Sequence, residues 1–208
     1  MSADPLVEIG AHTINHFALN SLHDSVVQGE IEGSRDKIES KIFAIDAGIN
    51  TVPGHQGIIK DINEAVSIAN EVGFPVMIKA SAGGGGKGIR RVDSDEELVP
   101  AWKRTRSEAL ASFGDDRVYI ERLVQGARHI EAQIVGDGQG SVWFLGEREC
   151  SLQRNHQKVL EESPSPAVDE AKREEIGELV VKAAEAVDYT NLGTAEFLRA
   201  DNGEFYFI

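Results

Sequence analysis

The run MIKASAGGGGKGIR, Met77 to Arg90, constrains this chain more than any other stretch, because it sets four consecutive glycines between two short apolar segments. Pro75 to Ala80 reads as a short buried strand, and Gly88 to Val92 reads as a second strand. The loop between them therefore closes a β-hairpin. Gly83 to Gly86 leave their backbone N–H groups unobstructed, so the loop can fold down over a polyphosphate while Lys79 and Lys87 supply positive charge. A nucleoside triphosphate is the ligand this pattern points to. The alternative is a surface hairpin with no ligand, since loops vary freely.

Two familiar phosphate loops match by letters and fail by context. A Walker A loop needs Gly-Lys followed by Ser or Thr and a helix, whereas Lys87 is followed by Gly88 and Ile89. Gly83, Gly85 and Gly88 fit G-x-G-x-x-G, but a dinucleotide fingerprint must open a helix, and this loop opens a strand.

The 208 residues suit one or two domains, and a formal net charge of −14 argues against nucleic acid or an anionic membrane as partner. The single Cys150 excludes an intramolecular disulfide framework and suits a reducing, cytoplasmic compartment; it reads as an inert buried thiol, with a reactive one as the alternative. No segment is long and apolar enough to span a membrane, and Met1 to Gly10 lacks the pattern of a signal peptide.

From residue 1 to 34 no periodicity is legible and no role can be assigned. His12 and His16 stand one helical turn apart, but no carboxylate or cysteine completes a ligand set, so solvated histidines are the simpler reading. Asp36 to Ala47 is expected to be an amphipathic helix with Ile38, Ile42 and Ile45 on its apolar side and Gly48 as its stop. Thr51 to Gly54 reads as a turn. Asp61 should cap a helix running to Val72, and Ser94 with Glu97 should form a capping box for one running to about Ser112. Strands are expected at Arg117–Leu123, Arg128–Gly136 and Ser141–Arg148, the last two joined at Asp137-Gly138. A long helix over Asp169–Val187 and a closing hairpin of Gly193–Arg199 and Glu204–Ile208 complete the chain. The last strand ends on Tyr206-Phe207-Ile208 without a polar exit, which suggests a truncated sequence with Phe205, Phe207 and Ile208 on an open sheet edge.

Four motifs in order, MIKASAGGGGKG, RHIEAQI at Arg128–Ile134, ERECSLQRNHQKV at Glu147–Val159 and GTAEFL at Gly193–Leu198, resemble biotin carboxylase, the ATP-grasp component of biotin-dependent acyl-CoA carboxylases of the acetyl-, propionyl- or methylcrotonyl-CoA type. The resemblance covers about residues 36–208. It implies an α+β ATP-grasp fold, with a lid over about 75–124 and part of the central antiparallel sheet over about 125–208, the domain as a whole spanning 35–208. It also implies MgATP and bicarbonate as reactants, with Mn2+ as an alternative metal, and biotin on a carrier protein or domain as acceptor. A carboxyltransferase component is implied as a further partner, and a homodimer is compatible.

By the same resemblance Lys37 and Lys79 would contact the ATP phosphates and Gly85 and Gly86 would lie in the closing lid. Glu121, Arg122, Leu123 and Val124 would hold adenine, largely through backbone groups; Arg122 departs from the lysine usual there. His129 and His156 match nucleotide-contacting positions, Lys158 a bicarbonate-binding one, and Glu196 a carboxylate ligand of Mg2+. The family continues beyond the F-Y-F-I strand with a second metal-binding Glu, an Asn and a catalytic Arg, which this sequence does not include, and an amino-terminal domain precedes DKIESK. A fragment unable to complete carboxylation alone is therefore expected, with a nucleotide-binding module or inactive relic as the alternative. A carbamoyl-phosphate or purine-pathway ligase shares the lid architecture, but QRNHQKV argues against it.

Overall fold

The computed structural model describes residues 37–55, 57–83 and 86–208, so His12, His16 and Gly85 lie outside the described residues. The glycine loop does join two antiparallel strands, β1 (Val76–Ala80) and β2 (Ile89–Val92), and β3 (Val118–Arg122) pairs with β1 on its other side. Alternation gives this small sheet two unlike faces. Val76, Ile78, Val92, Val118 and Ile120 pack on Ala65, Ile68 and Ala69 of helix α2 (Ile62–Val72) and on Leu98 and Trp102 of α3 (Asp95–Phe113). Met77, Lys79, Tyr119 and Glu121, which pair across β1 and β3, belong to the opposite face.

The helix boundaries follow their caps. The Asp61 side chain accepts from the N–H groups of Asn63 (2.8 Å) and Glu64 (3.0 Å), and Gly73 ends α2 at φ +85°. The capping box expected at α3 does not form. Ser94 is the N-cap residue but makes no side-chain cap bond, its hydroxyl going to Glu96, while Glu97 accepts from Asp93 N–H at 3.1 Å.

The second sheet has five antiparallel strands in the order β6-β5-β4-β7-β8: β4 (Arg128–Asp137), β5 (Val142–Arg154), β6 (Gln157–Glu162), β7 (Thr190–Arg199) and β8 (Phe205–Phe207). Ile130, Ala132, Ile134 and Phe197 form its core face, covered by Ile176, Val180, Ala183 and Ala184 of α4 (Glu170–Glu185). His129, Glu131, Gln133, Thr194 and Glu196 alternate with them on the other face. Asp137 closes the β4–β5 turn by accepting from Gln139 N–H (2.7 Å) and Ser141 N–H (3.1 Å). β5 runs further than expected and β6 was not foreseen. Apart from Lys158 every residue of β6 is exposed, so no buried alternation marks it as a strand.

Helix α1 (Lys37–Asp46) also departs from its expected pattern. Its buried residues are Ile38, Lys41 and Ala44, and Ile42 is exposed. Ala44 joins the core of the large sheet, while a lysine takes the place in the buried stripe that the sequence pattern assigned to isoleucine.

Residues 50–55, expected to turn, instead run as an extended strut between the two sheets. On one side Asn50 O accepts from Phe207 N–H (2.7 Å) and Thr51 bridges Phe207; on the other Pro53 O accepts from Arg122 N–H (2.8 Å) and His55 N–H donates to Ile120 O (2.9 Å). Pro53 drives Val52 away from helical backbone angles, which favours the extended path. The strut also covers part of the β8 edge, so Phe207 is buried, its ring edge-on to Phe197 at 5.9 Å, and the open edge expected there is partly closed. Among the described residues no helix is long and apolar enough to cross a membrane.

Gly54 lies so close to β3 that a Cβ would stand 2.5 Å from Ile120 O and 2.6 Å from Glu121 Cα. Gly54→Ala must push the strut off the small sheet and is expected to cost roughly 1–3 kcal/mol, as overpacking does; an unchanged urea midpoint would contradict this. Cys150 is fully buried in β5, and burial, with Glu131 nearby, pushes its thiol up to about 12. A thiol reagent at mildly alkaline pH should therefore label Cys150 only after denaturant is added, and rapid labelling of the native chain would show the thiol to be accessible and ionisable.

Candidate functional site: a seam between two sheets

Lys37 and Lys41 stand one turn apart on α1 and so share a face, which is turned to the polar face of the small sheet. There Lys41 Nζ and Lys79 Nζ each take one oxygen of Glu121, whose side chain is 2% exposed. Lys41 also lies over the Tyr119 ring, 5.3 Å from its centroid. Burial alone would raise the Glu121 carboxyl, but Lys79 and Lys41 outweigh it and hold the group below the usual carboxylate range. Burial pulls Lys37 and Lys41 down, and the like charge of Lys79 adds to this. Three ammonium groups thus face one local carboxylate, a surplus of positive charge in a chain of net −14. Such a surplus in a shielded place favours an anion with several oxygens.

The facing surface belongs to the large sheet. Lys158 donates to Glu131 and, at 2.6 Å, to Glu196 Oε1. Arg148 holds the other oxygen of Glu131 through Nε (2.7 Å) and the Gln133 side-chain oxygen through Nη1 (2.7 Å). Gln133 is itself tied to Gly193 O at 2.7 Å. The His129 ring is oriented by Gln153, whose amide donates to His129 Nδ1 (3.0 Å) and to Cys150 O (2.9 Å). Nε2 of the same ring is buried without a hydrogen-bond partner among the described residues, 3.8 Å from Glu196 Oε1. Burial would raise Glu196, but the facing His129 ring, Lys158 and Lys37 hold its carboxyl far below the usual range. Lys158 responds in the opposite sense: burial lowers it, and Glu196 and Glu131 more than offset this.

The two clusters form one site, because Glu196 is the strongest charge acting on Lys37, followed by Lys79 and Lys158. The described end of the loop reaches the facing sheet. Gly86, at φ +81°, rests on the β5–β6 turn formed by Asn155 and His156, and a Cβ there would meet Asn155 O at 2.4 Å and His156 Cβ at 3.0 Å. Lys37 is joined to the same loop by its N–H, which donates to Ser81 O at 3.0 Å.

Lys37, Lys79, Glu121, His129, Lys158 and Glu196, all singled out from the sequence, therefore converge. His156 is exposed at the hairpin tip under Gly86, Lys87 and Arg122 are exposed, and Leu123 and Val124 are half-buried. The N–H groups of Arg122 and Leu123 already donate to Pro53 O (2.8 Å) and Pro75 O (3.0 Å), so a ligand on that edge must use other backbone groups of the segment. Glu121 contributes a side chain, which the sequence reading had not assigned it. Lys41, Glu131, Arg148 and Gln153 were missed. Lys41 follows Lys37 by one helical turn and Glu131 follows His129 by two strand positions, spacings that put each on its neighbour's face.

His129, Glu131 and Glu196 offer donor atoms within 4.8 Å of one another. Both oxygens of Glu131 are taken by Arg148 and Lys158, and imidazole is a poor ligand for a hard cation, so Glu196 is the member of the trio suited to Mg2+.

A family profile described as "Carbamoyl-phosphate synthase L chain, ATP binding domain" matches residues 36–208. The chain is 51% identical over 181 residues to the propionyl-CoA carboxylase alpha chain of Ruegeria pomeroyi, covering 87% of this chain and 27% of that one. Against biotin carboxylase 1 of Bacillus subtilis it is 53% identical over 162 residues, covering 78% of this chain and 36% of that one. Among solved structures, the biotin carboxylase domain dimer of Hydrogenobacter thermophilus 2-oxoglutarate carboxylase, in complex with MgADP, ADP and bicarbonate, superposes with a TM-score of 0.84 at 45% identity over 89% of this chain and 40% of that one. The biotin carboxylase of Campylobacter jejuni in its β,γ-ATP complex gives 0.82 at 44% identity, over 84% and 39%. The chain thus spans between about a quarter and two-fifths of these relatives' lengths. It belongs to the ATP-grasp biotin carboxylase domains of the biotin-dependent carboxylases.

Proposed function

We propose that the seam is the nucleotide and bicarbonate site of a biotin carboxylase half-reaction, in which MgATP and bicarbonate give carboxyphosphate and its CO2 passes to N1' of biotin on a carrier protein. The observation that carries this reading is the excess of positive charge at Lys37, Lys41 and Lys79, facing the ion-paired Lys158 and Glu196 beneath a glycine loop. It is supported by relatives whose solved forms are complexes with MgADP and bicarbonate and with β,γ-ATP.

In this reading Lys37 and Lys79 neutralise phosphate oxygens, which is the larger part of what a protein contributes to phosphoryl transfer. Gly85 and Gly86 let the loop's N–H groups approach the same phosphates. The Glu121–Val124 segment borders the base, and His129 and His156 contact the nucleotide. Lys158, kept charged by two carboxylates, draws bicarbonate to the end of the phosphate chain. Glu196 offers one ligand for Mg2+, or Mn2+ in its place, and the metal would neutralise charge developing between the outer phosphates. A carboxyltransferase component would receive the product, and the dimer in the Hydrogenobacter complex makes a homodimer the expected assembly.

Isothermal titration of the chain with MgATP should show binding that Lys79→Ala weakens by about tenfold or more, as loss of a charge-assisted contact does. Glu196→Gln should weaken binding with Mg2+ present and leave binding in EDTA unchanged. Equal loss with and without metal would remove Glu196 from the metal site, and no loss in Lys79→Ala would remove Lys79 from the phosphates. Glu196 is held below its ordinary range, so it stays ionised as pH falls from neutrality to about 5, and metal-dependent binding should persist over that window. A decline centred near pH 6 in the metal-dependent part would contradict this.

A further inference from the structure

Lys41 is given no contact with the ligand in the reading above, yet its side chain is only 9% exposed, against 16% for Lys79. It lines a small pocket with Ile38, Thr51, Val52, Gly54, His55 and Tyr119, and its ammonium group lies over the Tyr119 ring as well as against Glu121. Both oxygens of Glu121 are engaged, one by Lys41 and one by Lys79. Resting on the nucleotide reading, we propose that Lys41 is a positioning residue, which occupies half of Glu121 and so leaves part of the charge of Lys79 free for a phosphate.

The argument is one of charge balance. With Lys37, Lys41 and Lys79 against Glu121, the lid side of the seam carries a surplus of two positive charges. Without Lys41 the surplus falls to one, and the carboxylate, buried and left with a single direct partner, must hold Lys79 more tightly because an unpaired buried charge is costly. Lys79 would then be withdrawn from the ligand although its own side chain is unchanged. A lysine that served only as packing would not behave in this way, and neutralising Glu121 would not repair its loss.

The test compares the chain with Lys41→Met, Glu121→Gln and the double variant, each verified as folded by its thermal transition. In titration with MgATP, Lys41→Met should bind about tenfold more weakly, and adding Glu121→Gln should bring affinity back to within about threefold, because the surplus of two charges is restored. A second readout needs no nucleotide: pulse acylation of lysines followed by peptide mass spectrometry should show Lys79 labelled several-fold more slowly in Lys41→Met and at its original rate in the double variant. Unchanged Lys79 labelling in Lys41→Met, or a double variant no better than Lys41→Met in either measurement, would overturn the proposal. If the unsubstituted chain fails to bind MgATP, the nucleotide reading falls, while the labelling still decides whether Lys41 sets the state of Lys79.

Discussion

A carboxylate placed inside a protein must be matched by positive charge or give up its own, and the arrangement around Glu121 follows from that requirement. Glu121 sits on the polar face of a small sheet whose other face is apolar core, so its partners must come from outside the sheet or from the neighbouring strand. Lys79 reaches it from β1 and Lys41 from α1. The matching is uneven, since Lys37 brings a third ammonium group and its strongest opposite charge, Glu196, is on the facing sheet. The seam therefore holds its two walls in electrostatic contact while leaving positive charge to be met by a ligand.

That balance depends on the distance between the sheets, which the strut of residues 50–55 helps to set. Its backbone bonds reach Phe207 on one side and Ile120 and Arg122 on the other, so β3 and β8 are tied to one short extended segment. Glu121 lies between the two anchored positions of β3. The close approach at Gly54 places the strut directly against Glu121 Cα, which makes a glycine without any ligand contact a determinant of the site. On the opposite wall, Arg148, Gln133 and Gly193 form a chain of hydrogen bonds that fixes Glu131 and, through it, Lys158. The orientation of Glu196 thus depends on groups well removed from the mouth of the seam.

Much of this was legible in the sequence. The glycine loop between strands, the Asp61 cap, the Asp137 turn and the alternation of β4 and β7 all rest on local chemistry and appear as expected. The motifs placed Lys79, His129, Lys158 and Glu196 in one site, and they converge. What was not legible depends on partners distant in sequence. Lys41 was passed over beside the isoleucine stripe because its counter-charge is Glu121, eighty positions away. Thr51 to Gly54 looked like a turn because Pro-Gly is a local signal, whereas the strands it bridges are tertiary. β6 was invisible because an exposed edge strand has no buried face to impose a period.

The central claim is that one nucleotide binds both walls at once, and hydrogen exchange with and without MgATP, followed by mass spectrometry, tests it most directly. Peptides from the glycine loop and α1 on the lid side and from the β5–β6 turn and the Glu196 region of β7 on the sheet side should all slow together, with the surface of α3 unchanged. Protection confined to one wall, or spread evenly over the chain, would contradict a ligand held in the seam.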